Sequence, residues 1–282
     1  MSLDTLIPWL SQDEGLQSAL NLASTGGSVV LPQGIWAPYI AGVSSARSPS
    51  TTVVVCPTGR ESDQLRDQLR TMVPATTSVL DFPAWETLPH ERLSPHPETV
   101  ARRRSALRAL RSVSEGTADG SLIVVASIRA LVQPVNPALA DVESFVAKIG
   151  DTSRTLEEWT EYLVASAYQR VDLVTRRGEF ALRGGILDVF PPLAEHPVRL
   201  DFFGSEIESL SFFTVADQRS LPEPVGEIAL DPVREMLLTS DVQGRAAELA
   251  QEYPGLGGML AKIVLLLCYR LTLLLRWCAG AL

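Results

Sequence analysis

Nucleotide chemistry needs a glycine-rich turn whose N–H groups meet the phosphates, a lysine for the β/γ-phosphates and a Ser/Thr for magnesium. This chain has only two lysines. Lys148 sits in FVAKIGD with no glycine before it, and Lys262 lies between Ala261 and Ile263 after GLGGMLA. Neither fits. His90 and His96 stand six apart in TLPHERLSPHPE, and His196 falls between strands. That spacing suits surface or capping roles, because a metal site wants further His, Cys or carboxylate ligands. Asp188, Asp201 and Glu206 read as solvated or ion-paired carboxylates on strands or turns, and no Ser/His/Asp or Cys/His arrangement is legible. The sequence therefore predicts no catalytic residue, no resident cofactor and no metal. Cys56, Cys268 and Cys278 lack metal-ligand spacing, and an odd count closes no disulfide framework, so a reduced, cytoplasmic protein is expected. The first residues, MSLDTLIPWLSQDEGL, have no basic stretch before an apolar run and do not read as a secretory signal.

What remains is arginine, in two groups. Arg102, Arg103, Arg104, Arg108 and Arg111 crowd one predicted helix over 98–112. They read either as a solvated face, with Arg near the helix C-terminus favoured by the macrodipole, or as possible DNA contacts. A net charge of −9 and the lack of interleaved aromatics favour the solvated face. Arg170, Arg176, Arg177, Arg183 and Arg199 lie on or beside a β-rich stretch. Alternation places Arg183 and Arg199 opposite their apolar neighbours, hence exposed. Exposed arginines on a rigid sheet suit bidentate pairing with a partner's carboxylates.

The elements that position these groups are legible from patterning. Phe180, Leu182, Ile186, Val189 and Phe190 predict apolar strands, interrupted at Gly184-Gly185 by a bulge or close backbone approach. Pro191-Pro192 stops the run, since neither residue can donate to a ladder. Residues 198–202 alternate with period two, Gly204-Ser205 turns the chain, and Ile207, Leu210, Phe212 and Phe213 supply the returning strand. A helix over 156–168 precedes this antiparallel unit. Upstream, a helix over 3–22 that breaks near Pro8, strands at 28–31, 52–56, 77–80 and 122–126, and a helix over 61–72 alternate as in a parallel α/β domain. The run TVVVC at 52–56 reads as a buried parallel strand. QPVNPALA at 133–140 reads as a linker, and a further helix is expected over 241–252.

The motifs GEFALRGGILDVFPP, HPVRLDFFGSEIESL and VADQRSL resemble the UvrA-docking domain shared by the excision-nuclease B subunit (UvrB) and the transcription-repair coupling factor family. VADQRSL, with PAWETLPHERLSPHPETVARR at 83–103, points to the coupling factors. The resemblance covers roughly residues 1–263 and implies a UvrB domain 1-like, degenerate P-loop α/β domain split by an α+β docking domain. The expected division is 1–131 for the first part of the α/β domain, 132–221 for the docking domain, 222–263 for a truncated return, and 264–282 for an aberrant apolar tail. It implies that UvrA is met by Arg183 and Arg199, with Arg170, Glu179 and Phe180 beside them. Because the related nuclease subunit holds DNA, it also raises Arg102, Arg103 and Arg104 as possible DNA contacts. Where that subunit carries its P-loop, this chain has VVLPQGIWAPYIAGV. The implied function is a protein-binding module, not an enzyme, that recruits UvrA to transcription-coupled excision repair. ATP, magnesium, double-stranded DNA and RNA polymerase would engage only motor and polymerase-binding domains absent from this chain.

Two other readings compete. A nuclease-subunit-like DNA-binding protein is disfavoured by the missing P-loop and the missing tyrosine-rich clamping hairpin. A membrane-associated protein rests on VLLLCYRLTLLLRWCAGAL alone, whose Arg270 and Arg276 would each cost about 2.5–3.5 kcal/mol in a bilayer centre. The tail is read instead as a truncated or out-of-frame end, and the chain as a monomer with no membrane partner. The purified chain is expected to turn over no ATP above background in a phosphate-release assay; measurable turnover would refute the non-enzymatic reading.

Overall fold

The computed structural model describes residues 12–87, 94–135 and 137–237, with four isolated positions between 242 and 252. Contacts gather these residues into two compact units, one within 1–85 and 102–140, the other within 86–101 and 141–282. His90, most of the helix expected over 241–252, and the 264–282 tail lie outside the described residues.

The first unit is built on a three-stranded parallel sheet. Its elements are α1 (Glu14–Thr25), α2 (Trp36–Ala46), β1 (Thr51–Cys56), α3 (Gly59–Met72), β2 (Thr77–Phe82), the later part of α4 (Pro97–Ser114), β3 (Ser121–Ser127) and α5 (Ile128–Val132). Asp13 caps α1 by accepting from the Leu16 amide at 2.8 Å, and Thr58 caps α3 through the Glu61 amide. The sheet order is β1-β3-β2. Central β3 is buried at every position, as a run of apolar and β-branched residues under helices on both faces should be. Leu65 and Leu69 of α3, with Ala37 and Ala41 of α2, pack on Ile123 and Val125; Ala106 of α4 packs with Leu122 and Val124. Edge position changes β1: Val53 and Val55 are about half exposed, so TVVVC is parallel but not buried on both sides. Residues 28–31 form no strand; the Leu31 carbonyl instead accepts from the Trp36 indole at 3.1 Å.

The second unit contains β4 (Phe145–Lys148), α6 (Leu156–Ala165), β5 (Gln169–Arg170), β6 (Glu179–Arg183), β7 (Ile186–Val189), β8 (Val198–Phe203), β9 (Glu206–Phe213), β10 (Ser220–Pro224) and β11 (Glu227–Leu230). Six strands run β10-β9-β8-β7-β6-β5, antiparallel except for the β5–β6 pair. Thr155 and Glu158 close a reciprocal capping box at the start of α6. Trp159 and Leu163 of that helix share a core with Phe180, Leu187, Val189, Val198, Leu200 and Leu210, the alternate positions of four strands.

Strand pairing moves the expected boundaries. β11 pairs with β4, and Tyr162 clips the two together by stacking on Phe145 at 3.6 Å and donating to the Leu230 carbonyl at 2.5 Å. Residues 227–230 therefore complete the second unit, where a return to the α/β domain was expected, because Ile228 and Leu230 bury against its core. The other boundary falls near 140 rather than 131, since the short helical turn Pro137–Ala140 belongs to the first unit and buries Leu139.

Central and edge strands should differ in energy. Ile123→Ala is expected to cost about 2–5 kcal/mol, while Val53→Ala stays within about 0.5 kcal/mol. Urea unfolding of both variants checks this, and equal losses would mean that β1 is covered.

Candidate functional site

Antiparallel register sets Ala181, Asp188, Arg199 and Ser211 side by side across β6–β9, on the sheet face opposite the Trp159 core. Asp188 sits between Leu187 and Val189, and only 1% of its side chain is exposed. A carboxylate so buried must be paired and hydrogen-bonded. Arg199 supplies a fork: Nε donates to Oδ1 at 2.7 Å and Nη2 to Oδ2 at 3.0 Å. Arg183 adds Nη2 to Oδ2 at 2.6 Å. The Arg199 guanidinium also lies 4.8 Å from the Phe213 ring centroid and reaches the Gln218 carbonyl with Nη1 at 3.5 Å. Hydrogen bonding to Asp188 raises the Arg199 pKa above its usual value, outweighing the opposing effect of burial, and the charges of Asp188 and Asp201 add to it. The guanidinium stays charged at any working pH.

A two-residue turn places Arg183. Gly184 takes φ +60°, the positive angle of the first position in a type II′ hairpin, which glycine adopts without strain. At Gly185 a Cβ would stand 3.0 Å from the Phe202 carbonyl oxygen, and the Phe202 amide donates to the Gly185 carbonyl at 2.8 Å. The close backbone approach expected at Gly184-Gly185 is thus a tight turn held against β8. Arg183 keeps 49% of its side chain exposed. Ile186 opposite it is partly exposed, and Phe203, at the turn joining β8 to β9, is 77% exposed.

Other expected site residues fall elsewhere. Arg199 is mostly covered, with 20% exposure, because Asp188 and Phe213 enclose it. Phe180 is fully buried in the core and presents nothing to a partner, since alternation turns it away from the Arg183 face. The Glu179 carboxylate accepts from the Thr175 and Arg176 amides at 2.8 and 2.9 Å, so it pins the 175–178 loop. Arg170 is exposed on edge strand β5.

The helical arginines of the first unit are corrected more sharply. Arg103 is buried, donating to the Pro83 and Pro134 carbonyls at 2.9 and 3.1 Å with its guanidinium 4.2 Å from the Phe82 ring centroid. Arg104 is equally buried. Neither can reach a phosphate, and neither belongs to a solvated face. Arg102 is a third exposed and pairs with Asp81 at 3.3 Å. Among the described residues no group of three potential metal ligands converges, and no helix is long and apolar enough to cross a membrane. Sequence reasoning missed Asp188 as the hub and Phe203 as an exposed aromatic; an acid flanked by apolar strand residues, level with an arginine on the next strand, was the available signal for the first.

Residues 148–236, which contain this whole constellation, match the UvrB interaction domain family. The chain carries a UvrB interaction domain. It is also homologous to curated transcription-repair-coupling factors. That of Mycobacterium bovis is 48% identical over 204 residues, covering 72% of this chain and 16% of the relative. The Haemophilus influenzae protein is 35% identical over 192 residues, covering 68% and 16%. The Bacillus subtilis protein is 27% identical over 272 residues, covering 93% and 22%. The chain spans about a sixth to a fifth of the length of these relatives. Asp188 and both its arginines thus belong to the UvrB interaction domain.

Unequal burial predicts unequal stability effects. Arg199→Ala strips a buried carboxylate of its fork and is expected to cost about 3–5 kcal/mol. Arg183→Ala leaves that fork intact and should cost about 1 kcal/mol or less. Chemical denaturation decides, and equal losses would contradict the assigned roles.

Proposed function

We propose that this chain recruits UvrA to nucleotide-excision repair coupled to transcription, docking through the exposed Arg183 end of the β6–β9 face. The observation that carries the reading is a half-exposed guanidinium, anchored on a buried Asp188–Arg199 pair, inside a UvrB interaction domain. Phe203, at the same end of the sheet two strands away on β8, supplies the large apolar surface that interface hot spots use. Arg170 pairs with Phe180 and so shares the sheet face opposite Arg183, which leaves it outside this docking surface. The parallel-sheet unit reads as the UvrB domain 1-like, degenerate P-loop fold, with no lysine positioned for a nucleotide. This module acts by binding rather than by catalysis, in the cytoplasm. In the complete coupling factor, an ATP-dependent translocase that displaces stalled RNA polymerase from DNA, those activities belong to segments outside this chain's span.

The test is calorimetric titration of UvrA with the full chain, in the absence of ATP. Wild type is expected to bind. Arg183→Ala is expected to cost about 2–5 kcal/mol, and Phe203→Ala about 2 kcal/mol or more. A wild-type chain with no affinity for UvrA would sink the proposal, and wild-type affinity in both variants would move the interface to another face.

A further inference from the structure

The site's charged residues do not have equal freedom. An arginine carries five N–H groups on three nitrogens. All three nitrogens of Arg199 are engaged, Nε and Nη2 by Asp188 and Nη1 by the Gln218 carbonyl, and Phe213 covers the guanidinium. Arg183 commits only Nη2, to the Asp188 Oδ2, and is half exposed. Its Nε and Nη1 are uncommitted. We infer that the three side chains divide the work: Arg183 alone takes a carboxylate from the partner, while Asp188 and Arg199 are positioning residues that hold it in place. This inference rests on the UvrA-docking reading and assigns roles within it.

The physical case is preorganisation. A free arginine loses rotamer freedom on binding, and a tether that restricts it beforehand lowers that cost. Asp188 is such a tether, and it is stiff because the Arg199 fork, the sheet and the flanking core residues Leu187 and Val189 fix it. A protein carboxylate fits better than a nucleic-acid phosphate. Asp201 lies on the same sheet face, accepting from Ser209 at 2.7 Å, and would oppose a strip of phosphates. Ile186 and Phe203 at this end of the sheet offer apolar contact of the kind that protein interfaces use.

The experiment is a double-mutant cycle on the full chain, with UvrA affinity and thermal melting measured in parallel. Arg183→Ala should weaken binding about a hundredfold with little change in melting. Asp188→Asn should weaken it about tenfold, and adding Arg183→Ala to Asp188→Asn should cost only about tenfold more, both routes ending at one affinity. Arg199→Lys, which keeps the charge and loses the fork, should behave like Asp188→Asn. If the Arg183 and Asp188 effects multiply independently, or Arg199→Lys loses as much as Arg183→Ala at unchanged melting, the division of labour is wrong although docking stands. If wild type shows no affinity, the docking reading fails and takes this inference with it. Should Asp188→Asn not fold, NMR of the wild-type arginine Nε–H groups decides: Arg199 is expected to resist solvent exchange in the free chain, whereas Arg183 exchanges freely and shifts only with UvrA. The reverse pattern overturns the assignment. A short DNA duplex that displaces UvrA and loses affinity with Arg183→Ala would overturn the choice of a carboxylate.

Discussion

A carboxylate buried in the middle of a sheet is tolerable only with its counter-charges in register, and Asp188 imposes that condition on three strands. Its fork partner must stand directly opposite on β8 and its second arginine two positions along β6. Sliding β8 by one residue would turn Arg199 into the Trp159 core and strip the acid of its fork, and sliding β6 would take away its second arginine. The pair therefore acts on specificity more than on net stability, since desolvating two charges roughly offsets their attraction. The hydrophobic face supplies the stabilising free energy, and the charged face excludes the slipped pairings.

The same arrangement explains how a half-exposed arginine is held fixed at the end of a strand rather than on a loop. Loops tolerate change because few contacts fix them. Arg183 stands at the end of β6, and Gly185 seats the hairpin against Phe202 on β8. The register of the paired strands shifts just there, between Asp201 and Phe202, and Phe203 follows at the turn. The result is a fixed cation and, two strands away on β8, a protruding aromatic, backed by a dense core.

Period-two alternation made β6 to β9 legible because each strand has one face in the core and one outside. Alternation assigns a face, however, and not an environment. It set Arg199 correctly opposite Val198 and Leu200 but could not show that Asp188 and Phe213 would enclose it. Phe180 was misjudged for the complementary reason, since its neighbours in the motif carry function while it fills the core. β11 was assigned to the wrong unit because four residues contain no record of their partner strand, and pairing with β4 lies about 80 positions back in sequence.

Arginine accounts for nearly all the positive charge, two lysines standing among 24 basic residues, and the structure shows why a count of such residues is a poor guide to partners. Arg103 uses its planar fork as internal cement, joining the Pro83 and Pro134 carbonyls over the Phe82 ring. Arg199 does the same for a carboxylate. Both are places where a lysine, with its compact and strongly hydrated charge, would lose the geometry. Once such guanidinium groups are built into the interior, their N–H groups can no longer contact a phosphate directly. Exposure of uncommitted N–H groups, rather than local density of basic residues, separates a docking arginine from a structural one. By that criterion Arg103 and Arg104 of α4 have no N–H group to offer a phosphate, while Arg183 keeps half its side chain exposed with a single bond to Asp188.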